Sequence, residues 1–208
     1  MKVQSPLEEK LNTLTHAFGA VLGIIGLGLL IYYNEQKTVW TIFSVVIYGI
    51  SLIVLFSASA LYHYVSNENK KHYLRIADHI SIYLLIAGTY SPVLLISLEH
   101  SLGWTLFLIV WGIAGFGLLL KLFFTGKFEV FSTVLYLVMG WLVVFDFSNL
   151  AEVIGENGVY LLFAGGLFYT IGIIFYAIDR IPYNHVIWHL FVLAGAISHF
   201  LMIFLYVI

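Results

Sequence analysis

The stretch "VWTIFSVVIYGISLIVLFSASALYHY", residues 39–64, runs for 26 residues without an Asp, Glu, Lys or Arg. A helix of about 20 apolar residues is long enough to cross the hydrocarbon core of a bilayer. In lipid, each backbone N–H and C=O must find its hydrogen-bond partner inside the segment, and an α-helix provides all of these partners. The stretch therefore predicts a transmembrane helix, and His63 lies at its end.

Runs of the same kind repeat along the whole chain. The 208 residues are 62% hydrophobic and only 10% charged, with a mean hydropathy of +1.00. The approximate bounds of seven apolar segments are 15–33, 39–64, 74–96, 102–123, 129–148, 158–177 and 185–207. The short polar connections leave no room for a soluble domain. The sequence therefore predicts an all-α membrane protein, in which residues 1–208 form a single domain of seven transmembrane helices.

Composition also narrows the chemistry that this protein can use. The chain has no cysteine, which excludes disulfides, thiolate metal ligands and a cysteine nucleophile. Its net charge of −2 and the lack of a basic patch do not indicate nucleic acid as a partner. The polar start of the chain has no short apolar core followed by a small-residue cleavage site, so we expect no cleavable signal peptide.

The distribution of Lys and Arg predicts the orientation in the cell membrane, because cytoplasmic loops carry the excess of these residues. With seven spans, eight of the nine fall on one side: Lys2, Lys10, Lys70, Lys71, Arg75, Lys121, Lys127 and Arg180. The other side carries only Lys37. The N-terminus is therefore predicted to be cytoplasmic and the C-terminus external.

Glycines recur at spacings typical of close helix packing in membranes. They are Gly19, Gly23 and Gly26 in the first helix, Gly112 and Gly115 in the fourth, and Gly165, Gly166 and Gly172 in the sixth. We expect tight helix–helix contacts at these positions.

Ionisable residues within the spans are costly to bury, so each needs a partner or a function. His63 lies near the cytoplasmic end of the second helix, with Ser59 one turn deeper on the same face. Asp78 falls in the first two turns of the predicted third helix, and His185 and His189 share one face in the first two turns of the seventh. His63, Asp78, His185 and His189 are therefore predicted to lie at a similar depth.

Two histidines at i and i+4 on a helix are a common metal-binding pair, and His63 could complete a three-histidine set. Zinc suits such a set, because three protein ligands leave a fourth position for water, whose pKa bound zinc lowers to about 7. Asp78 could accept a proton from this water or orient it, and Ser59 could hydrogen-bond to the water or to a ligand. The alternative is that the histidines are ordinary hydrogen-bond partners between helices or interfacial residues.

Other polar residues are less suited to a metal site. His199 lies about 21 Å along its helix from the first histidine of the pair, too far to share a metal ion. His79 points about 100° away from Asp78 on its helix, which favours a packing or interfacial role. His16, Asn12 and Glu9 form a polar edge that could brace the cytoplasmic end of the bundle or simply belong to a helix cap.

Four stretches together resemble the motifs of a known family. They are "EEKLNTLTHAFG", "SASALYHY", "ADHISIYLLIAGTYSP" and "HVIWHLFVLAGAISHF". The chain resembles, over nearly its whole length, the hemolysin III family, which is the bacterial branch of the progestin and adipoQ receptor family and is related to the adiponectin receptors.

The resemblance implies a fold and a site. Members have seven helices with the N-terminus inside, and a zinc ion held by the histidines that match His63, His185 and His189. The aspartate that matches Asp78 acts through water, and Ser59 matches the serine of the family's serine-x-x-x-histidine motif. The resemblance also implies ceramidase-like chemistry, since adiponectin receptors are associated with ceramide amide hydrolysis. The long cytoplasmic N-terminal region of those receptors is missing here, which argues against hormone sensing.

Several functions are compatible with these features. The first is a zinc-dependent membrane hydrolase that cleaves an amide or ester bond in a membrane lipid at the cytoplasmic side. The second is a receptor-like or regulatory membrane protein with structural zinc, and the third is a hemolysin III-type cytolysin. A transporter is least favoured, because no chain of ionisable residues crosses the midplane. An open fourth position on the metal would favour the enzyme, whereas four protein ligands would favour a structural role.

Overall fold

The computed structural model describes residues 4–208, so Lys2 of the predicted charge distribution lies outside the described residues. The helices are α1 (Pro6–Tyr33), α2 (Thr41–Tyr64), α3 (Glu68–Pro92), α4 (Gly103–Phe124), α5 (Glu129–Gly140), α6 (Phe147–Ala177) and α7 (Asn184–Met202). Short π-helical segments, Val93–Ser97 and Ile203–Val207, extend α3 and α7, and a 3-10 segment, Leu142–Asp146, joins α5 to α6. Residues 4–208 are therefore all-helical, as predicted.

Helix α1 begins at Pro6, nine residues before the apolar segment that predicts it. The Ser5 hydroxyl accepts a hydrogen bond from the Glu8 N–H at 3.3 Å, and the Glu8 carboxylate accepts one from the Ser5 N–H at 2.7 Å. This capping box satisfies N–H groups that a helix start leaves without partners, and proline suits the first helical position. As a result, Glu9 and Asn12 belong to the helix and not to a loop.

Helix α3 also begins earlier than the sequence predicts, at Glu68 instead of residue 74. The Asn67 side chain caps it by accepting a hydrogen bond from the Lys70 N–H at 3.1 Å. The placement of Asp78 in the first two turns is therefore wrong, since this residue lies in the third turn of the longer helix.

Six helical stretches of the described chain are long and apolar enough to cross a membrane, whereas the sequence predicts seven spans. The difference lies in Glu129–Ala177, which is 49 residues long and covers the two predicted spans 129–148 and 158–177. The connection predicted between them is helical except at Gly155, whose φ of 65° and ψ of 179° suit glycine. The polar residues of this connection predict a loop. Residues such as Ala151 and Glu152 are good helix formers, however, so the segment can continue as a helix.

Helix α5 and the 3-10 segment after it form one stretch, and its two ends contact residues at opposite ends of the bundle. Glu129 accepts a hydrogen bond from Lys121 at 2.9 Å and lies 3.4 Å from Arg75, near the start of α3. Asp146 accepts a hydrogen bond from Ser101, which lies beyond the end of α3, at 3.0 Å. These contacts fix the segment lengthwise along the bundle.

Several of the predicted glycine contacts are present. A Cβ atom at Gly19 would lie 2.5 Å from the Phe56 ring of α2, and one at Gly165 would lie 2.2 Å from the His199 ring of α7. Such distances are far shorter than van der Waals contact. Glycine is therefore needed for α1 to approach α2, and for α6 to approach α7.

The expected contacts of Gly112 and Gly115 are wrong, because no atom of another described helix lies within 4 Å of a Cβ placed at either position. On the same helix it is Gly117 that packs closely, with its added Cβ only 2.5 Å from the ring of Tyr83 in α3. Tyr83 is fully buried, so its ring has little freedom to move away.

We expect Gly117→Ala to destabilise the bundle by about 1–3 kcal/mol, because the methyl group overpacks the contact with Tyr83. The matched control is Gly115→Ala, which adds the same methyl group on an open face of α4. The measurement is the thermal unfolding midpoint of both variants in detergent. Equal midpoints for the two variants would show that the close approach at Gly117 does not restrict this position.

Candidate metal centre

The end of α2 and the start of α7 position three histidines. His63 lies one residue before the end of α2, and His185 and His189 lie on one face of the first two turns of α7. The start of α7 is fixed by Asn184, whose side-chain amide donates a hydrogen bond to the Phe175 carbonyl of α6 at 3.1 Å. The local helix geometry thus directs both α7 imidazoles towards the end of α2.

The three imidazoles form a compact cluster. One nitrogen from each of His63, His185 and His189 lies within 4.8 Å of the other two. The ring centroids are 5.1 Å apart for His63 and His185, 4.9 Å for His63 and His189, and 4.7 Å for His185 and His189. His63 and His189 are buried, with 4% and 1% of their surfaces exposed, and His185 is partly buried.

The cluster fits a metal ion. Zinc–nitrogen bonds of about 2.1 Å place two donors on one ion at most about 4.2 Å apart, so small side-chain rotations would bring all three nitrogens into range. The Nε2 atom of His63 is buried and has no hydrogen-bond partner among residues 4–208. A buried polar atom without a partner is costly, and coordination to a cation would satisfy it. The three histidines could therefore hold a metal ion.

Asp78 and Ser59 lie beside this cluster. Both line a small cavity of about 40 Å³, together with His185 and His189. Asp78 is partly buried and is the only carboxylate among the residues that line this cavity, and Ser59 is buried. A space of this size holds a few water molecules. The structure thus brings the five residues of the predicted site to one place.

Helix α1 contributes a contact to the cluster that the predicted site does not include. The Glu9 carboxylate lies 2.6 Å from Nδ1 of His63 through one oxygen, and 2.6 Å from the ammonium of Lys71 through the other. The polar edge of Glu9, Asn12 and His16, visible in the sequence, was the signal for this contact. It showed that one face of α1 is polar, but not which helix that face meets.

Two further residues of α1 contact the other side of the cluster. The His16 ring stacks on the His189 ring, with centroids 3.6 Å apart and planes 11° from parallel. The Thr15 hydroxyl lies 3.5 Å from Nδ1 of His189. Helix α1 therefore covers the histidine cluster along two of its turns.

Two larger cavities extend from the site into the bundle. A cavity of about 130 Å³ shares His79, Ile82 and Trp188 with the small cavity. A third, of about 190 Å³, shares Trp141 and His199 with the second. Their other lining residues are mostly apolar, so an apolar space begins next to the histidines and leads along the helices.

Two further histidines within the bundle, His199 and His79, lie near other groups. His199 lies 3.1 Å from the Leu162 carbonyl through Nε2, a contact between α7 and α6. His79 is buried and lies 3.9 Å from the carboxylate of Glu129. Neither residue belongs to the three-histidine cluster.

Comparison with known proteins finds relatives over nearly the whole chain. The model of a family described as haemolysin-III related matches residues 4–200. The chain is 41% identical to Hemolysin-3 of Bacillus cereus, over 97% of this chain and 92% of that protein. It is 42% identical to the Hemolysin-3 homolog of Bacillus subtilis (strain 168), over 96% of this chain and 94% of the relative. It is also 32% identical to the human Monocyte to macrophage differentiation factor, over 96% of this chain and 84% of that protein.

The family match covers nearly the whole chain, and it includes the helices that carry all three histidines. Together with the six long apolar helices, it identifies a multi-pass integral membrane protein. The chain belongs to the hemolysin III family, the bacterial branch of the progestin and adipoQ receptor family.

Proposed function

We propose that this protein is a zinc-dependent membrane hydrolase that cleaves an amide or ester bond in a lipid, in the manner of a ceramidase. The observation that carries the proposal is the position of the histidine cluster. It lies beside a carboxylate and a hydroxyl that line a small cavity, and a larger apolar cavity begins next to it. A hydrolase for lipids needs this combination, because its reacting groups must meet water and its substrate chain must not.

In this proposal His63, His185 and His189 hold the zinc ion. Three imidazole ligands are a set found in catalytic zinc sites, and they leave a coordination position open. When bound, zinc polarises a carbonyl and activates water as a nucleophile at neutral pH. No fourth side chain joins the cluster of metal-ligating residues found in the described part of the chain. This favours the enzyme over a receptor-like or regulatory protein with structural zinc.

Asp78 acts as the general base, and Ser59 hydrogen-bonds to the water or to the substrate. Asp78 is the carboxylate of the small cavity, so it can accept the proton that the attacking water loses. The same group can return this proton to the leaving nitrogen or oxygen when the bond breaks. Ser59 is buried and can both donate and accept, which suits a residue that fixes the direction of a water molecule.

The apolar cavities next to the site support a lipid as the substrate or ligand. Ile82 and Trp188 line the boundary between the small cavity and the 130 Å³ cavity. An acyl chain in that cavity would place the bond that joins it to a head group near the histidines. The apolar lining stabilises such a chain by removing it from contact with water.

We further propose that Glu129–Ala177 crosses the membrane twice, giving seven crossings with the site on the cytoplasmic side. A straight helix of 49 residues would be about 73 Å long, more than twice the thickness of the hydrocarbon core. Glu129 contacts Arg75 at the histidine end of the bundle, Asp146 is held at the other end, and Tyr176 again lines the cavity beside His185. The excess of Lys and Arg at the histidine end makes that end cytoplasmic.

A cytolysin is the second candidate, favoured by the name of the Bacillus cereus relative, Hemolysin-3. A pore would need a polar path between both faces of the membrane. The cavities found in the described residues have mostly apolar linings instead. Red-cell lysis by purified protein that persists after the three histidines are replaced would favour this candidate over the hydrolase.

Purified protein should carry about one zinc ion per chain, and replacing His63, His185 and His189 together with alanine should reduce zinc to background, because all three donors are lost. Zinc content is measured by elemental mass spectrometry. The control is His72→Ala, which removes an exposed histidine near the start of α3. Unchanged zinc in the triple variant would rule out this ligand set.

Asp78→Asn should retain zinc but lose about 10²- to 10⁴-fold in turnover, because the amide cannot accept the proton. The assay follows cleavage of fluorescent lipid amides and esters, including a ceramide, with and without a chelator. The control is Asp179→Asn, the same change at an exposed position between α6 and α7. Normal turnover in Asp78→Asn would make this residue a bystander, and loss of zinc would make it a metal ligand.

Because the chain has no cysteine, single cysteines can report its topology directly. We expect Glu156→Cys to react with a membrane-impermeant thiol reagent in intact cells. Lys127→Cys and Asp179→Cys should react only after permeabilisation, since both lie on the cytoplasmic side in the proposed topology. All three positions are exposed in the structure. If Lys127 and Asp179 lie on opposite sides, the 49-residue stretch crosses only once.

A further inference from the structure

The Glu9 carboxylate makes two short contacts with different helices. One oxygen lies 2.6 Å from Nδ1 of His63 in α2, and the other lies 2.6 Å from the ammonium of Lys71 in α3. The Lys71 ammonium also lies 5.1 Å from the centre of the Tyr62 ring. Lys71 thus binds one oxygen of the Glu9 carboxylate, and the other oxygen contacts His63 of the histidine cluster.

The contact with His63 has a chemical consequence. A carboxylate only accepts hydrogen bonds, so the Nδ1 atom that faces it must carry the hydrogen. In a neutral imidazole the lone pair then lies on the other nitrogen, Nε2. In His63 this Nε2 is buried and has no hydrogen-bond partner among the described residues. It is therefore the nitrogen that is free to bind a metal ion.

We propose that Glu9 is a positioning residue for the metal centre: it selects the tautomer of His63 and fixes the direction of its ring. The inference rests on the metal site of the proposed function and adds a group outside the ligand set. Carboxylates that accept the second N–H of a metal-bound histidine raise its basicity and hold its orientation. Here the carboxylate belongs to α1 and the histidine to α2. The position of α1 therefore controls the orientation of His63, the metal ligand that α2 carries.

The local structure of α1 explains how Glu9 reaches this position. The capping box between Ser5 and Glu8 starts the helix just before Glu9. Gly19, two to three turns later, lets the helix backbone approach Phe56 of α2 closely. Glu9 is therefore carried towards the end of α2 by a helix whose start and whose closest contact are both specified by sequence.

A simpler role for Glu9 would be an ion pair that only joins α1 to α3. That role predicts that removing the carboxylate lowers stability but leaves the His63 tautomer and the intrinsic zinc affinity unchanged. The positioning role predicts that removing the carboxylate changes both the His63 tautomer and the zinc affinity. The experiment therefore measures zinc affinity, tautomer and stability for the same proteins.

The variant is Glu9→Gln, which keeps the size of the side chain and removes its charge. The control is Glu68→Gln, the same change at an exposed residue at the start of α3. Zinc dissociation constants are measured on purified, metal-depleted full-length protein by competition with a chromogenic chelator. We expect Glu9→Gln to weaken zinc binding by about 10- to 100-fold and Glu68→Gln to leave it unchanged.

The second readout is the tautomer of His63, measured by NMR of ¹⁵N-labelled histidine in the metal-free protein. We expect the Nδ1–H form in the unmodified chain, and a substantial fraction of the Nε2–H form in Glu9→Gln, because the amide can donate to Nδ1 as well as accept from it. Thermal unfolding of the metal-free variants shows whether each remains folded. A mixture of tautomers in a folded Glu9→Gln protein supports the inference.

An unchanged zinc dissociation constant together with an unchanged tautomer in Glu9→Gln would overturn the inference. Equal weakening by Glu9→Gln and Glu68→Gln would overturn it as well, because the effect would then be general electrostatics. If the unmodified chain binds no zinc, the proposed function fails. The tautomer measurement still decides whether Glu9 orients His63, because it needs no metal.

Discussion

Three imidazole rings from two helices meet where little solvent reaches them. The cost of burying their polar nitrogens restricts how the surrounding helices pack. Burial of polar groups within a membrane bundle is costly unless each finds a partner. The end of α2 and the start of α7 meet so that His63, His185 and His189 face each other, and the Glu9 carboxylate contacts one nitrogen of His63. The capped starts of α1 and α3 and the glycine contacts between helices hold that arrangement in place.

Helix α1 illustrates how closely fold and site are coupled. Its glycine face packs against α2, while its polar first turns cover the histidines through Glu9, Thr15 and His16. Stacking of His16 on His189 fills the side of the cluster that would otherwise be open. A helix that hydropathy alone describes as one more membrane span thus covers one side of the histidine cluster.

The cavities extend from the histidine cluster into the apolar interior of the bundle. Polar lining residues are concentrated next to the histidines, whereas the space further along the bundle is mostly apolar. This gradient is the feature on which the proposed lipid substrate rests. In the proposed function, the three histidines hold the metal ion and the apolar interior takes the lipid chain.

The sequence by itself determined the class of the fold and much of the site. Long apolar runs require helices, because backbone groups in lipid need internal partners. The i, i+4 spacing places His185 and His189 on one face, and the distribution of Lys and Arg predicts that His63 and Asp78 lie at a similar depth.

Hydropathy does not detect helical turns in polar segments, so it missed the capped starts of α1 and α3 and the helical connection before Gly155, although local residues specify them. Only the tertiary structure decided how the helices meet. The contact of Glu9 with His63, and the packing of Gly117 instead of Gly115, depend on how each helix is rotated against its neighbours. Periodicity defines the faces of a single helix, but side-chain packing between helices decides which faces meet.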